Sequence, residues 1–221
     1  MTLASAGLDA RALDALAQIH GDNRRLLALR AYLRAGDSLP ERWSWSQRQL
    51  WDYLSTPEGR AAAADIEAVT AEFAAENPGF SLEVNRQPRS LEQQLARWNE
   101  NSGVGSVADS LERSLSRQFT SKGTPDAELL RRALLDWTPA TAAPLAAPGL
   151  SAHGQGRAFD FKITHNGVIV AGTDVASARG DWDMAGWTHR LQQAVSNSRR
   201  PFTGPLQSPH EPWHYAYVSA H

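Results

Sequence analysis

The chain contains no cysteine, and this absence limits the kinds of site that it can build. Disulfide bridges cannot form, and a structural zinc site of the usual kind, with paired cysteine thiolates, is excluded. A metal ion would have to be bound by histidine and carboxylate side chains. Such ligands are typical of catalytic zinc sites that keep one position open for water.

Long runs of one residue type are also missing. No apolar run approaches the length of a membrane span, and no long basic run accompanies the formal net charge of -2. We therefore expect neither a membrane span nor a nucleic-acid partner, and we expect a monomer. Arginine carries nearly all of the positive charge, because only Lys122 and Lys162 are lysines.

The first residues, Met1 to Gly7, lack the charged and apolar regions of a secretory signal peptide. The sequence therefore leaves the compartment unknown. A periplasmic or secreted location is favoured if an export signal was removed, and a cytoplasmic location otherwise.

Helical periodicity dominates the first two thirds of the chain. Apolar residues recur at helical spacing over about residues 8–35 and predict two helices, with Asp22 as the N-cap of the second. Thr56 suits the N-cap and Pro57 the first position of a long alanine-rich helix.

Strand signals are fewer and lie mainly in the last third. Alternating side chains predict strands over Phe80–Asn85, 158–164 and 168–172, with His165-Asn166-Gly167 as a hairpin turn between the last two. The pattern predicts an α+β fold in which helices flank a small antiparallel sheet.

We divide the chain into an N-terminal helical extension, residues 1–55, and a main domain, residues 56–221. Residues 99–148 are interpreted as a segment inserted into the main domain. This segment begins with a glycine- and asparagine-rich stretch at about 99–106, which we predict to be a flexible loop.

Two potential metal ligands, His153 and Asp160, lie on a short stretch that contains glycine. Their separation is too long for one helix face or one short strand, so the backbone between them must fold back. Gly154 and Gly156 allow this, because glycine adopts positive φ without steric cost and permits a close approach of the backbone. Asp160 then lies on the strand that follows.

A third potential ligand, His214, lies near the end of the chain, three residues after Glu211. Pro212 disfavours a helix there, so we predict a turn that leads into a last strand over residues 214–218. Glu211 would accept a proton from the attacking water, or else orient a ligand from behind it. We interpret the other five histidines as hydrogen-bonded structural residues.

These residues form the pattern Ser-x-His-x-x-Gly-x-Ala-x-Asp, starting at Ser151, followed later by Glu-x-x-His. The combination resembles the zinc D-alanyl-D-alanine peptidases, a family that shares its fold with lysostaphin-type enzymes and the hedgehog signalling domain. The resemblance implies one zinc ion bound by His153, Asp160 and His214, with Glu211 as the general base.

Arg89 and Gln94 extend the resemblance. In the family, a strand leads into an Arg-Ser segment with a glutamine five residues after the arginine, and these two residues match. The resemblance implies that Arg89 holds the carboxylate of the substrate or shares the charge of the attacked carbonyl. Gln94 and Ser151 are implied to bind substrate. The family's Ser-Gly-Tyr is replaced here by Arg86-Gln87-Pro88, so Arg86 is an alternative to Arg89, and a solvated surface arginine is the other alternative.

The resemblance implies a bacterial zinc peptidase that hydrolyses peptidoglycan stem peptides. Among such peptidases we favour a D-Ala-D-Ala carboxypeptidase. Two alternatives remain open. One is an endopeptidase or endolysin of the same fold that cleaves another bond, and the other is a non-catalytic zinc-binding interaction domain. Glu211 favours an enzyme, because a non-catalytic domain has no need of a carboxylate beside the metal.

Overall fold

The computed structural model describes residues 7–119, 126–207 and 209–218. Within these ranges the helices are α1 (Ala10–Gln18), α2 (Asp22–Ala35), α3 (Leu39–Arg42), α4 (Gln47–Leu54), α5 (Pro57–Glu76), α6 (Leu91–Glu100), α7 (Ser102–Phe119), α8 (Ala127–Asp136) and α9 (Trp187–Ser198). The strands are β1 (Phe80–Asn85), β2 (Ala158–His165), β3 (Val168–Ala171), β4 (Phe202–Thr203) and β5 (His214–Tyr217). Two short 3-10 helices cover Gly36–Ser38 and Ala152–Gln155, and a π-helix covers Ala178–Met184.

The chain forms two compact units, each discontinuous in sequence. The first contains the described residues up to Gln47 and those from Arg89 to Gly154. The second contains Arg48–Pro88 and the described residues from Gln155 onward. The helices of the predicted insertion therefore belong to the same unit as the N-terminal helices.

The first unit is helical, and α2 contacts α1, α7 and α8 within it. Its hydrophobic core includes Tyr32, whose buried hydroxyl donates a hydrogen bond to the carbonyl of Pro148 at 2.6 Å. Burial raises the pKa of the Tyr32 phenol. A tyrosine hydroxyl is protonated at neutral pH even without this shift, so it can donate the bond.

The stretch at residues 99–106 is not the predicted flexible loop, because only Asn101 separates the end of α6 from the start of α7. The glycines in this stretch allow neighbouring side chains to pack closely against the backbone, and they do not form a flexible loop. A Cβ atom at Gly103 would lie 2.9 Å from Pro144 Cγ, and one at Gly105 would lie 2.8 Å from the Arg24 guanidinium. A glycine-rich polar run predicts a loop only when no neighbour uses the space that the missing side chain leaves.

The start of α5 agrees with the prediction, and the start of α2 does not. The Thr56 hydroxyl accepts the N–H of Gly59 at 3.1 Å, which makes Thr56 the N-cap. At α2 the N-cap is Gly21, with φ of 80°, and Asp22 is the first helical residue. The Asp22 carboxylate instead pairs with Arg25, one turn along the helix, at 3.0 Å.

The second unit contains an antiparallel sheet in which β2 is the central strand. β1 pairs with one edge of β2, while β5 and β3 share the other edge, and β4 pairs with the outer side of β5. The turn between β2 and β3 uses Asn166 and Gly167, both with positive φ, as the hairpin signal predicts.

The sheet has one apolar face, and Asp160 and His214 lie on the opposite face. Phe159, Phe161 and Tyr215 belong to a hydrophobic core that includes residues of α5 and α9. Successive side chains of a strand point to opposite faces, so Asp160 and His214 point away from this core. These two residues are direct partners in the register of β2 and β5.

The architecture confirms the α+β prediction: a small antiparallel sheet is flanked by helices, and further helices precede it in the chain. The predicted strands differ from the observed ones by a residue at most at each end. In the part of the chain that the structure describes, no helix has both the length and the apolar character needed to cross a bilayer.

Candidate metal centre

The segment that carries His153 and Asp160 begins with the 3-10 turn at Ala152–Gln155 and passes into β2. Gly156, between the two ligands, has φ of 69°. The backbone therefore changes direction at a glycine, as predicted, because few other residues adopt this conformation without strain. Asp160 lies on β2, so its carboxylate is carried by regular structure.

Gly154, the second predicted glycine, is required for close approach and not for its φ. A Cβ atom at this position would overlap the buried side chain of Ser44. The N–H of Gly154 donates to the carbonyl of Ser151, and its carbonyl accepts the N–H of Trp45, both at 2.8 Å. Packing and hydrogen bonds thus fix the residue that follows His153.

We expect Gly154→Ala to destabilise the protein, because the added Cβ would overlap Ser44 and lie 3.0 Å from Gln94 Nε2. Overpacking of this kind costs about 1–3 kcal/mol. Urea unfolding followed by tryptophan fluorescence measures the cost. Gly180→Ala is the matched control, because a Cβ there meets no atom within 4 Å. Equal unfolding midpoints for the two variants would show that the Ser44 contact yields without cost.

His153, Asp160 and His214 form a buried group. One ligand atom of each residue lies within 4.8 Å of those of the other two. None of the three residues is more than 7% exposed. Nδ1 of His214 lies 2.9 Å from Oδ1 of Asp160, so these two side chains are already in hydrogen-bond contact. The structure therefore brings the three predicted ligands together.

The donor atoms of this group suit a divalent metal ion. Two imidazoles and one carboxylate make a set of three protein ligands, as in catalytic zinc sites. Ligand distances of about 2.0–2.2 Å in a tetrahedron place neighbouring ligand atoms about 3.4 Å apart. A group whose ligand atoms lie within 4.8 Å needs only a small adjustment to reach that spacing.

Glu211 lies beside the candidate ligand His214. Its Oε2 is 3.8 Å from Nδ1 of His214, and its side chain is 27% exposed, so the carboxylate reaches both the ligand and solvent. Its N–H donates to the carbonyl of Leu206 at 2.9 Å, and its carbonyl accepts the N–H of His214 at 3.1 Å. These bonds form a turn at Pro212 that leads into β5, as predicted.

The backbone of Arg89 is adjacent to the metal-ligand group, because its N–H donates to the carbonyl of His153 at 3.1 Å. Gln94 supports this segment: its Nε2 donates to the Arg89 carbonyl at 2.6 Å, and its Oε1 accepts the N–H of Gly149 at 3.0 Å. The nitrogen and the oxygen of the Gln94 amide therefore both form hydrogen bonds within the protein. Substrate binding by Gln94 and by the half-buried Ser151 stays a prediction.

Arg86, the alternative to Arg89, pairs with a helix of the second unit. Its Nη2 lies 2.6 Å from Oε1 of Glu67 on α5. Because α5 belongs to the core on the apolar face of the sheet, this pair directs Arg86 away from the face that carries Asp160. The role of Arg89 in substrate binding stays a prediction.

Sequence reasoning missed an ion pair that supports the segment between the ligands. Nη2 of Arg157 lies 2.9 Å from Oε1 of Glu58, and the guanidinium lies 5.7 Å from the centroid of the Tyr53 ring. The carbonyl of Arg157 accepts the N–H of Tyr217 at 2.7 Å. Burial raises the pKa of Tyr53, and the contact with Arg157 opposes this shift. The available signal was a basic residue inside the motif, but its partner lies far away in sequence.

Two of the other histidines have contacts that fit the structural interpretation. Nε2 of His210 lies 2.8 Å from Oδ2 of Asp183, and the His165 ring stacks on Phe80 at a centroid distance of 4.6 Å. His221 lies outside the described residues.

No protein-family model, curated protein or solved structure matches this chain. The geometry of the site and the motif resemblance are therefore the basis for a proposed function.

Proposed function

We propose that this protein is a zinc-dependent peptidase that hydrolyses peptidoglycan stem peptides, and more specifically a D-Ala-D-Ala carboxypeptidase. The observation that carries the proposal is the buried group of His153, Asp160 and His214 with the partly exposed Glu211 carboxylate 3.8 Å from His214. Catalytic zinc sites usually have three protein ligands, and a nearby carboxylate can act as the general base.

His153, Asp160 and His214 would hold the zinc ion, which when bound supplies Lewis acidity toward the scissile carbonyl and the attacking water. Glu211 accepts a proton from that water while the water oxygen forms a bond to the carbonyl carbon. The same carboxyl group then gives the proton to the leaving amine as the carbon–nitrogen bond breaks. One general base thus serves both steps, and no further proton carrier is needed.

Arg89 would contribute a positive charge beside the reacting group. The Arg89 N–H donates a hydrogen bond to the carbonyl of the candidate ligand His153, and the Arg89 carbonyl accepts one from the Gln94 side chain. A guanidinium in this region can bind a substrate carboxylate with two parallel hydrogen bonds, or stabilise the negative charge on the attacked carbonyl. The first role requires a free C-terminus next to the scissile bond, and it is the reason for proposing a carboxypeptidase.

Digestion of defined muropeptides, followed by mass analysis of the products, tests the proposal. We expect the zinc-loaded protein to release the terminal D-alanine from a pentapeptide stem, and we expect the chelator-treated protein to be inactive until zinc is restored. Cleavage at another bond would support the endopeptidase alternative. No cleavage of any muropeptide by protein that holds zinc would support a non-catalytic interaction domain.

The acid and amide forms of one pentapeptide substrate should differ strongly in kcat/KM. A bidentate charged pair contributes about 2–3 kcal/mol when it is largely desolvated, so we expect amidation of the C-terminus to lower kcat/KM by close to a hundredfold. Arg89→Ala should remove most of this difference, because the acid loses its partner while the amide loses little.

Arg86→Ala is the matched control, because Arg86 pairs with Glu67 on α5. It should leave the acid-to-amide ratio unchanged. Equal cleavage of the acid and amide by the unsubstituted protein would contradict the carboxypeptidase and leave the endopeptidase.

A further inference from the structure

The sheet face that carries Asp160 and His214 continues across β1 and β2 as a polar surface. Three rows of side chains, opposed in register, form what we call the polar face: Asn85, Asp160 and His214; then Glu83 and Lys162; then Ser81 and Thr164. The residues on β1 are exposed, so solvent reaches this face along that strand.

The middle row of the polar face is an ion pair. Nζ of Lys162 lies 2.7 Å from Oε1 of Glu83, and the two side chains are 26% and 55% exposed. The chain has only two lysines, and this one lies two residues after the metal ligand Asp160. The pair places an ammonium and a carboxylate side by side. Each side chain is partly exposed, so a ligand group can contact it.

The distance along the strand suits a bound peptide. A strand rises about 3.3 Å per residue, so the row of Lys162 and Glu83 lies about 7 Å from the row of Asp160 and His214. An extended substrate rises at nearly the same rate. A substrate bound in extended form along β2 would therefore bring the side chain of a residue about two positions from the scissile bond to this ion pair.

We propose that Lys162 and Glu83 form a specificity subsite for a zwitterionic amino-acid group, an ammonium and a carboxylate on one carbon, carried by a side chain next to the scissile D-Ala-D-Ala unit. This inference rests on the proposed function. The Lys162 ammonium binds the carboxylate of the ligand, and the Glu83 carboxylate binds its ammonium. Stem peptides with diaminopimelate at the third position carry such a group. Those with lysine carry the ammonium alone.

Binding to the Glu211→Gln protein tests recognition without turnover. The probes are two pentapeptides that differ only at the third residue, meso-diaminopimelate or L-lysine, titrated by calorimetry into the zinc-loaded protein. We expect diaminopimelate to bind about tenfold more tightly, which is the lower end for a charged hydrogen bond because the ion pair is partly exposed. Amidation of the side-chain carboxylate should remove this preference.

Lys162→Met, added to Glu211→Gln, should bring the ratio of the two affinities close to one. Glu67→Gln is the matched control: it removes a carboxylate that also pairs with a basic residue near β1, but on α5, and should leave the ratio unchanged. Equal affinity for the two peptides before substitution, or a ratio that survives Lys162→Met, would overturn the subsite.

Cleavage by protein that retains Glu211 separates this inference from the proposed function. A binding preference for diaminopimelate with no cleavage of either peptide would contradict the peptidase and support the subsite. Cleavage of both peptides at equal rates, with equal affinities, would remove the subsite and leave the peptidase intact.

Discussion

Glu211→Gln is expected to lower the rate of peptide hydrolysis by about two to four orders of magnitude, because an amide cannot accept the proton of the attacking water. The Glu211 carboxylate lies 3.8 Å from His214, and its partial exposure allows water to reach it. It is not among the three ligand residues, so the variant should keep its fold and its metal. Steady-state kinetics on a stem peptide measure the first effect, and metal analysis of the same sample measures the second.

Glu67→Gln provides the control for this substitution, because it makes the same chemical change at a carboxylate that pairs with Arg86. Its turnover should remain near that of the unsubstituted protein. Near-normal turnover by Glu211→Gln at full zinc occupancy would mean that another group is the base. Loss of zinc from this variant would mean that Glu211 is a ligand.

His214→Ala is expected to abolish tight zinc binding, with a loss in affinity greater than about a hundredfold. Removal of a residue that only supports a ligand already costs about ten- to a hundredfold, and removal of a ligand costs more. The substitution also leaves the buried Asp160 carboxylate without the imidazole that now lies 2.9 Å from it. Competition against a chelator of known affinity measures the loss.

His189→Ala is the control for the ligand substitution, because His189 is exposed on α9. It should bind zinc as tightly as the unsubstituted protein. Undiminished zinc in His214→Ala after dialysis against chelator would show that the metal is held elsewhere.

The elements that build the site were predictable because their signals are local. Strict alternation marks β1, which has the predicted bounds. A threonine cap followed by proline marks the start of α5, where Thr56 accepts the N–H of Gly59. The hairpin after β2 follows from Asn166 and Gly167, since both tolerate positive φ. Each signal depends on residues within one turn or one strand.

The grouping of the three candidate metal ligands was predictable for a different reason. Their residue types and order along the chain match a motif, and the structure brings His153, Asp160 and His214 within ligand distance of one another. Pro212 correctly excluded a helix before His214. Glu211 was therefore assigned to a turn and His214 to the strand that follows. Spacing alone could not predict that Asp160 and His214 would be direct partners in the sheet register.

Features that depend on distant neighbours were not predictable. Gln94 matches a position that the resemblance implies binds substrate, and the sequence does not reveal that its amide hydrogen-bonds to Arg89 and Gly149. The glycines of α7 were interpreted as flexible because the sequence does not reveal that Pro144 and Arg24 pack against them. The partnership of Arg157 with Glu58 depends in the same way on the fold.

Diffraction from crystals grown with zinc, recorded on both sides of the zinc absorption edge, locates the bound metal. We expect one strong anomalous peak about 2.0–2.2 Å from a ring nitrogen of His153, a carboxylate oxygen of Asp160 and a ring nitrogen of His214. Zinc located at other residues would contradict the proposed metal site. So would the absence of a peak while Asp160 and His214 remain hydrogen-bonded to each other.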